Sequence, residues 1–281
     1  MSGTFEQITP NLWLLQSEYF HTNSGVFIDN GQAALIDPGI TPEEVGTTIQ
    51  FLKEKRGRTE VILLTHAHWD HILGPQMFPG VKVIAQKNYL KETSGESGDR
   101  LKKRVERFYD EINCLQKQAF CIPQPDLTFE DTLEVTIGKQ QLRLMQAPGH
   151  VSSQMAVYHP EGEMLWAADM LSNIEIPLVS QHLASYEKTL TRFSNLNIKV
   201  LIPGHGSATT NNTEIRERIN SDIAYLVELR WRVEESIKDG KSIEKTVDYC
   251  RYMTYKHPDE NAAEHQINVE RAFLELDGKT T

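Results

Sequence analysis

The sequence predicts a mixed α/β or α+β domain followed by a helical C-terminal extension. Short apolar segments alternate with amphipathic ones up to about residue 211, and from Asn212 the apolar spacing turns wholly helical. Hydrophobic residues make up 39% and charged residues 24% of the 281, values of a globular chain that exclude collagen-like, mucin-like and disordered classes.

Residues 12–15, 25–28 and 33–36 read as strands. The last two flank Asp29-Asn30-Gly31, a turn chemistry suited to a tight hairpin. Asp37-Pro38-Gly39 stops the third strand. Pro42, Glu43 and Glu44 then open a helix running through Phe51 and Lys55, with proline and acids in its first turn. Residues 61–64 form a continuous apolar run, as in a strand buried on both faces, and 81–85 form another. After a polar, glycine-containing stretch at 92–99, Leu101, Val105, Phe108, Ile112 and Leu115 recur at threes and fours. This marks an inserted helical element within about 87–120. Strands return at 133–137, 142–145, 155–158 and 164–167, a helix at 186–196 and a buried strand at 199–202. Beyond Asn212, the residues Ile215, Ile219, Ile223, Leu226, Leu229 and Val233 form one stripe. Two more helices follow at 242–256 and 259–276, the last with Asp259 as its cap after Pro258. The expected division is a unit of 1–211 carrying the insertion, then an extension of 212–281.

Acidic residues outnumber basic ones 39 to 29, a formal charge of −10. That field disfavours nucleic acid or an anionic membrane as partner and leaves a small-molecule substrate. The N-terminal segment lacks a basic region followed by an apolar core. No apolar run approaches the roughly 18 residues of a membrane span. Cys114, Cys121 and Cys250 are too few for a disulfide framework or a cysteine-only metal site. A cytoplasmic location is the expectation.

The chemistry concentrates elsewhere. His66, His68, Asp70 and His71 crowd the positions directly after the apolar run 61–64. In extended chain His66 and His68 project to one side, and Asp70 and His71 come as the chain turns into a helix. His150 in Ala-Pro-Gly-His, Asp169 in Ala-Ala-Asp and His205 in Pro-Gly-His-Gly each follow a strand as well. That carboxyl edge is where open sheets place binding sites. Imidazoles and carboxylates are ligands for borderline divalent metals, and burying so many without a partner is costly. The set exceeds what one tetrahedral ion takes and suits two ions sharing a carboxylate.

Thr-His-Ala-His-Trp-Asp-His-Ile-Leu-Gly at 65–74 resembles the His-x-His-x-Asp-His motif of the metallo-β-lactamase-fold hydrolase superfamily. Pro148-Gly149-His150, Asp169 and Pro203-Gly204-His205 follow in the family's order, and Asp37-Pro38-Gly39 resembles its turn beneath the metal site. The resemblance spans about residues 10–210. It implies a four-layer αββα sandwich, α+β in class, with the inserted helix and the C-terminal helical extension added. It also implies a binuclear centre in which His66, His68 and His150 hold one divalent ion and Asp70, His71 and His205 the other, with Asp169 bridging. Zinc is the family's usual occupant; iron and manganese also occur, and this ligand set does not separate them. The implied activity is hydrolysis of a small ester, thioester or lactone by a metal-bridging hydroxide, with Asp70 as catalytic proton handler. A small phosphodiester substrate is the alternative, and a non-catalytic metal-binding protein of the same fold a further one.

Departures narrow the branch. Asp169 stands where some zinc β-lactamases have a cysteine ligand, and Ala67 where glyoxalase II-type thioesterases carry a third histidine. Ser172 stands where acyl-homoserine lactonases often place a tyrosine. The nuclease insertions and flavin-binding half of other branches have no counterpart. Trp69, His21, His182, His265 and Tyr89 are candidates for the substrate pocket, although His265 also fits a core stripe with Val269, Ala272 and Leu276. The inserted and C-terminal helices are read either as a roof over the pocket or as a homodimer interface.

Overall fold

Backbone pairing gathers the apolar segments into two sheets. The computed structural model describes residues 3–114 and 119–278. The first sheet takes its strands in sequence order: β1 (Glu6–Thr9), β2 (Leu12–Gln16), β3 (Asn23–Asp29), β4 (Gln32–Ile36), β5 (Arg58–Leu63), β6 (Lys82–Gln86) and β7 (Leu127–Phe129). It is antiparallel as far as β4 and parallel from β4 to β7. The second comprises β8 (Thr132–Ile137), β9 (Gln140–Gln146), β10 (Met155–His159), β11 (Met164–Ala168) and β12 (Val200–Pro203). Its spatial order is β12-β11-β10-β9-β8, parallel only between β11 and β12.

Alternation along the strands builds the layers, because successive side chains face opposite ways. Phe27, Ile36 and Leu63 point between the sheets, where they meet Leu144, Val157, Trp166 and Ile202. Val26, Leu35 and Ile62 point outward against Val45 and Leu52 of α1 (Pro42–Lys55). The helix α1 starts on a capping box: Thr41 Oγ1 accepts from Glu44 N at 3.2 Å while Glu44 Oε2 accepts from Thr41 N at 3.3 Å. Next come α2 (Tyr89–Glu92) and α3 (Gly95–Glu111), the inserted element. The outer face of the second sheet is covered by α4 (Leu183–Ser194), α5 (Asn212–Lys238), α6 (Ile243–Cys250) and α7 (Ala262–Leu276). Leu165 and Leu201 of the sheet share one apolar cluster with Tyr186, Leu226, Leu229, Val233 and Val269. The molecule is therefore an αββα sandwich, with helices beyond the core fold.

Several boundaries differ from the sequence expectation. The strands β1 and β7 are short and mostly uncovered, so they carry little apolar signal. The helix α3 begins at Gly95 and ends at Glu111; Leu115 of the periodic set lies outside the described residues. Asp259 does not cap the last helix: Asn261 holds that position, and its side chain bonds to a neighbouring loop instead. Among the described residues no helix is long and apolar enough to cross a membrane.

Candidate metal centre

The sheets place every ligand-type side chain at one edge. Beyond β5 the chain runs without regular structure to His68, whose backbone is extended, then makes a single 3-10 turn, Trp69–His71, rather than entering an α-helix. This turn swings Asp70 and His71 toward His66 and His68. The other three groups follow β9, β11 and β12, two of them on backbone that few residues adopt. Gly149 has φ +144, and a Cβ there would lie 2.5 Å from Tyr186 Cα. Ala168, directly before Asp169, has φ 52. At Gly204 a Cβ would lie 2.1 Å from Asp169 Oδ1. Gly149 is thus required both by its φ and by close approach, and Gly204 by close approach alone.

Donor atoms of His66, His68, His150 and Asp169 lie within 4.8 Å of one another, and those of Asp70, His71 and His205 form a second such group. Asp169 joins the two: its Oδ2 is 3.3 Å from His66 Nε2 and from His150 Nε2, and its Oδ1 is 3.3 Å from His71 Nε2.

Four imidazoles are held by their outer nitrogen. His71 Nδ1 donates to Asp37 Oδ2 at 2.9 Å, His205 Nδ1 to Phe20 O at 2.9 Å, and His150 Nδ1 to Leu178 O at 3.1 Å. His66 Nδ1 donates to Thr65 Oγ1 at 3.0 Å, and that hydroxyl donates to Asp37 Oδ2 at 2.6 Å. Each such bond occupies Nδ1 and leaves Nε2 aimed inward as the nitrogen a metal ion can take. His68 Nδ1 and His150 Nε2 face one another at 3.0 Å, as do the Nε2 atoms of His71 and His205 at 3.3 Å. The His150 loop is pinned from α2. The Glu92 carboxylate accepts from the backbone N–H groups of Ser152 and Ser153 at 3.0 and 3.1 Å and from both hydroxyls.

The electrostatics fit a bound cation. Burial would drive His71 neutral, but Asp169, Asp70 and Asp37 hold its pKa well above the usual histidine value. Burial acts likewise on His205, yet Asp169 holds it at about 10. Asp169 itself is held well below the carboxylate range by His71, His205 and His66, against the effect of burial. The carboxylates thus demand positive charge at this spot. Burial keeps His66 and His68 neutral, His68 with a pKa of about 3, which is the form that ligates metal. His66 Nε2 and Asp169 Oδ1 are buried without a hydrogen-bond partner, a costly state that a divalent ion relieves.

A cavity of about 410 Å3 opens onto His68, Asp70, His150, Asp169 and His205. Two of the pocket candidates, Trp69 and His21, line it. Its aromatic wall is Phe20 edge-to-face with Trp69, centroids 5.6 Å apart, with the Arg104 guanidinium from α3 stacked 4.2 Å over Trp69. Opposite run Ile174, Glu175, Ile176 and Leu178, with Glu260, Asn261 and Glu264 beyond. Burial pushes the Glu175 carboxyl up.

Three pocket candidates lie elsewhere. Tyr89 is fully buried in the cluster beneath the first sheet. His265 is a core residue of the C-terminal helices: its Nε2 donates to Cys250 O at 2.9 Å, and its Nδ1 lies 2.9 Å from Tyr225 Oη. His182 stands half-exposed at the start of α4, 3.9 Å from Glu275. Conversely, the sequence reading missed Phe20, Arg104, Glu92 and the 174–178 strip. Phe20 and Leu178 serve the histidines through backbone carbonyls, which leave no residue-type signal.

The Metallo-beta-lactamase superfamily profile matches residues 18–205, and the chain belongs to that superfamily. It is 26% identical over 218 residues to a hydroxyacylglutathione hydrolase, GloC, of Haemophilus influenzae, a match covering 73% of this chain and 95% of the relative. It is 24% identical over 269 residues to a Beta-lactamase-like protein 2 homolog of Drosophila melanogaster, covering 92% and 83%. Among solved structures, a metallo-beta-lactamase family protein from Thermus thermophilus superposes with a TM-score of 0.70 at 20% identity, covering 97% of this chain and 95% of that one. The sec-alkylsulfatase of a Pseudomonas species gives 0.74 at 15% identity, but this chain spans only 50% of its length. These structural likenesses concern the fold.

Proposed function

We propose that the protein is a binuclear metal-dependent hydrolase of a small ester, thioester or lactone, with zinc as its occupant. The observation that carries this reading is the convergence of seven imidazole and carboxylate groups, in two sets joined by Asp169, five of which open onto one cavity. His66, His68 and His150 would hold one ion, Asp70, His71 and His205 the other, and Asp169 both. Bound there, the ions would supply water activated near neutral pH and Lewis acidity toward the electrophile.

The chain's own residues do the rest. Asp37, Phe20 O, Leu178 O and Thr65 fix ring orientation. Asp70 faces the cavity with its Oδ2 3.4 Å from His205 Nε2, which places it to hold a proton drawn from the nucleophile. Trp69 and Phe20 on one wall, and Ile174, Ile176 and Leu178 on the other, exclude water from an apolar substrate body. The name of the Haemophilus relative supports putting thioesters first among substrates. A reducing, cytoplasmic setting belongs to the same proposal, supported by three free cysteines.

The test is a panel of thioesters, lactones and phosphodiesters assayed with and without a chelator. Turnover of a thioester or lactone that stops on chelation and returns with zinc supports the reading. Turnover confined to phosphodiesters, or unaffected by metal removal, overturns it.

A further inference from the structure

Within the strip 174–179, Ile174, Ile176 and Leu178, with Glu175 among them, line one side of the cavity, and the strip belongs to neither sheet nor any helix. Its backbone is held by side chains from the C-terminal helices. Asn261 Nδ2 donates to Ile174 O at 3.0 Å and its Oδ1 accepts from Ile176 N at 3.3 Å. Asn268 repeats the pattern on Pro177 O at 2.6 Å and Val179 N at 2.7 Å. Glu275 continues it, accepting from Leu183 N at 2.6 Å and Ala184 N at 3.2 Å. These three residues stand seven apart, so they line one face of α7 and its N-terminal turn. Two further ties come from the same layer, Lys256 Nζ to Ser172 O at 2.7 Å and Arg218 Nη1 to Leu171 O at 3.3 Å. Asn268 is wholly buried and Asn261 nearly so. Buried amides that donate and accept on one strip act as a surrogate strand, and they fix the strip's register.

We propose that this polar stripe makes the C-terminal helices the specificity element of the site: by holding the 174–179 strip, Asn261 and Asn268 position Ile174, Ile176 and Leu178 as the binding wall for a linear apolar acyl or alkyl group. The inference rests on the hydrolase reading only for the identity of the reacting group. Asn261 and Asn268 are positioning residues, since neither is a ligand-type group of the centre.

The test is calorimetric binding of straight-chain primary alcohols, butanol to octanol, to the purified full chain, together with kcat/KM on p-nitrophenyl esters from acetate to octanoate. A wall of this kind raises affinity about fourfold per methylene. Asn261→Ala and Ile174→Ala are expected to cut that increment to about twofold or less, because a displaced or trimmed wall buries less of each methylene. Asn261→Asp, which keeps the acceptor for Ile176 N and loses the donor to Ile174 O, is expected to fall between and serves if the alanine variant does not fold. Asn268→Ala is read with its metal content, because Leu178 O between its two bonds holds His150. Affinity independent of chain length, or variants retaining the wild-type increment, overturns the proposal. Length-dependent binding with no turnover of any ester, thioester or lactone overturns the hydrolase reading instead, and turnover without length dependence leaves that reading standing while this one fails.

Discussion

At the scale of single residues, the centre depends on acceptors behind the histidines as much as on the histidines. Asp37 is fully buried, with φ 45, and receives Thr65 N at 2.9 Å, Thr65 Oγ1 and His71 Nδ1. Asp37→Asn keeps the volume but removes the charge that orients His71, so divalent-metal affinity should drop about 10- to 100-fold. Chelator competition measures it; an unchanged affinity would show that His71 needs no such support. The seven ligand-type residues were legible in the sequence because their side chains name their chemistry. The acceptors Phe20 O and Leu178 O were not, since any residue has a carbonyl and only tertiary structure decides which one faces a histidine. His265 could be read both ways, as a pocket candidate or as part of a core stripe with Val269, Ala272 and Leu276, and its two ring nitrogens meet core partners.

At the scale of elements, loops after strands carry the site, and their glycines are fixed by space. Gly149→Ala would set a methyl 2.5 Å from the backbone of α4 and hold φ at +144, where an L residue is strained. Neither α4 nor the strand end can withdraw cheaply, so we expect a loss of about 3 kcal/mol or more, measured by urea unfolding. A loss within about 0.5 kcal/mol, the range of inert surface substitutions, would contradict the close approach. Strands with continuous apolar runs were legible to within a few residues. By contrast β1 and β7, largely uncovered, gave no run to read. A roof of C-terminal helices over the pocket was one of two readings of the sequence, but the hold of Asn261 and Asn268 on the cavity wall was not legible, because polar residues seven apart on a helix ordinarily mark its solvated face.

At the scale of the whole molecule, the helical tail shares one apolar cluster with the second sheet, and its stability should report on pH. Burial lowers the pKa of His265 below the usual histidine value. The unfolded chain therefore binds more protons than the folded one just below about pH 6.5, and stability falls as pH drops through that range. His265→Gln should flatten the pH dependence of the urea midpoint between about pH 7.5 and 5.5 relative to wild type; identical slopes would remove His265 from the account. Metal acts in the other direction, since an ion that binds only the folded chain at 100 times its Kd adds about 2.7 kcal/mol. The four-layer architecture could be anticipated from strand–helix alternation and motif order together. Which side of the cavity the C-terminal helices shape required the fold.

The most direct test of the central claim is metal content measured with turnover on the same sample. Wild-type protein reconstituted with zinc and desalted should retain two ions per chain, one for each donor group, and hydrolyse a thioester or lactone. Asp169→Asn, at the junction of the two groups, should retain fewer and lose that turnover. Full turnover in a metal-free sample, or an Asp169→Asn variant with wild-type metal content and rate, would contradict it.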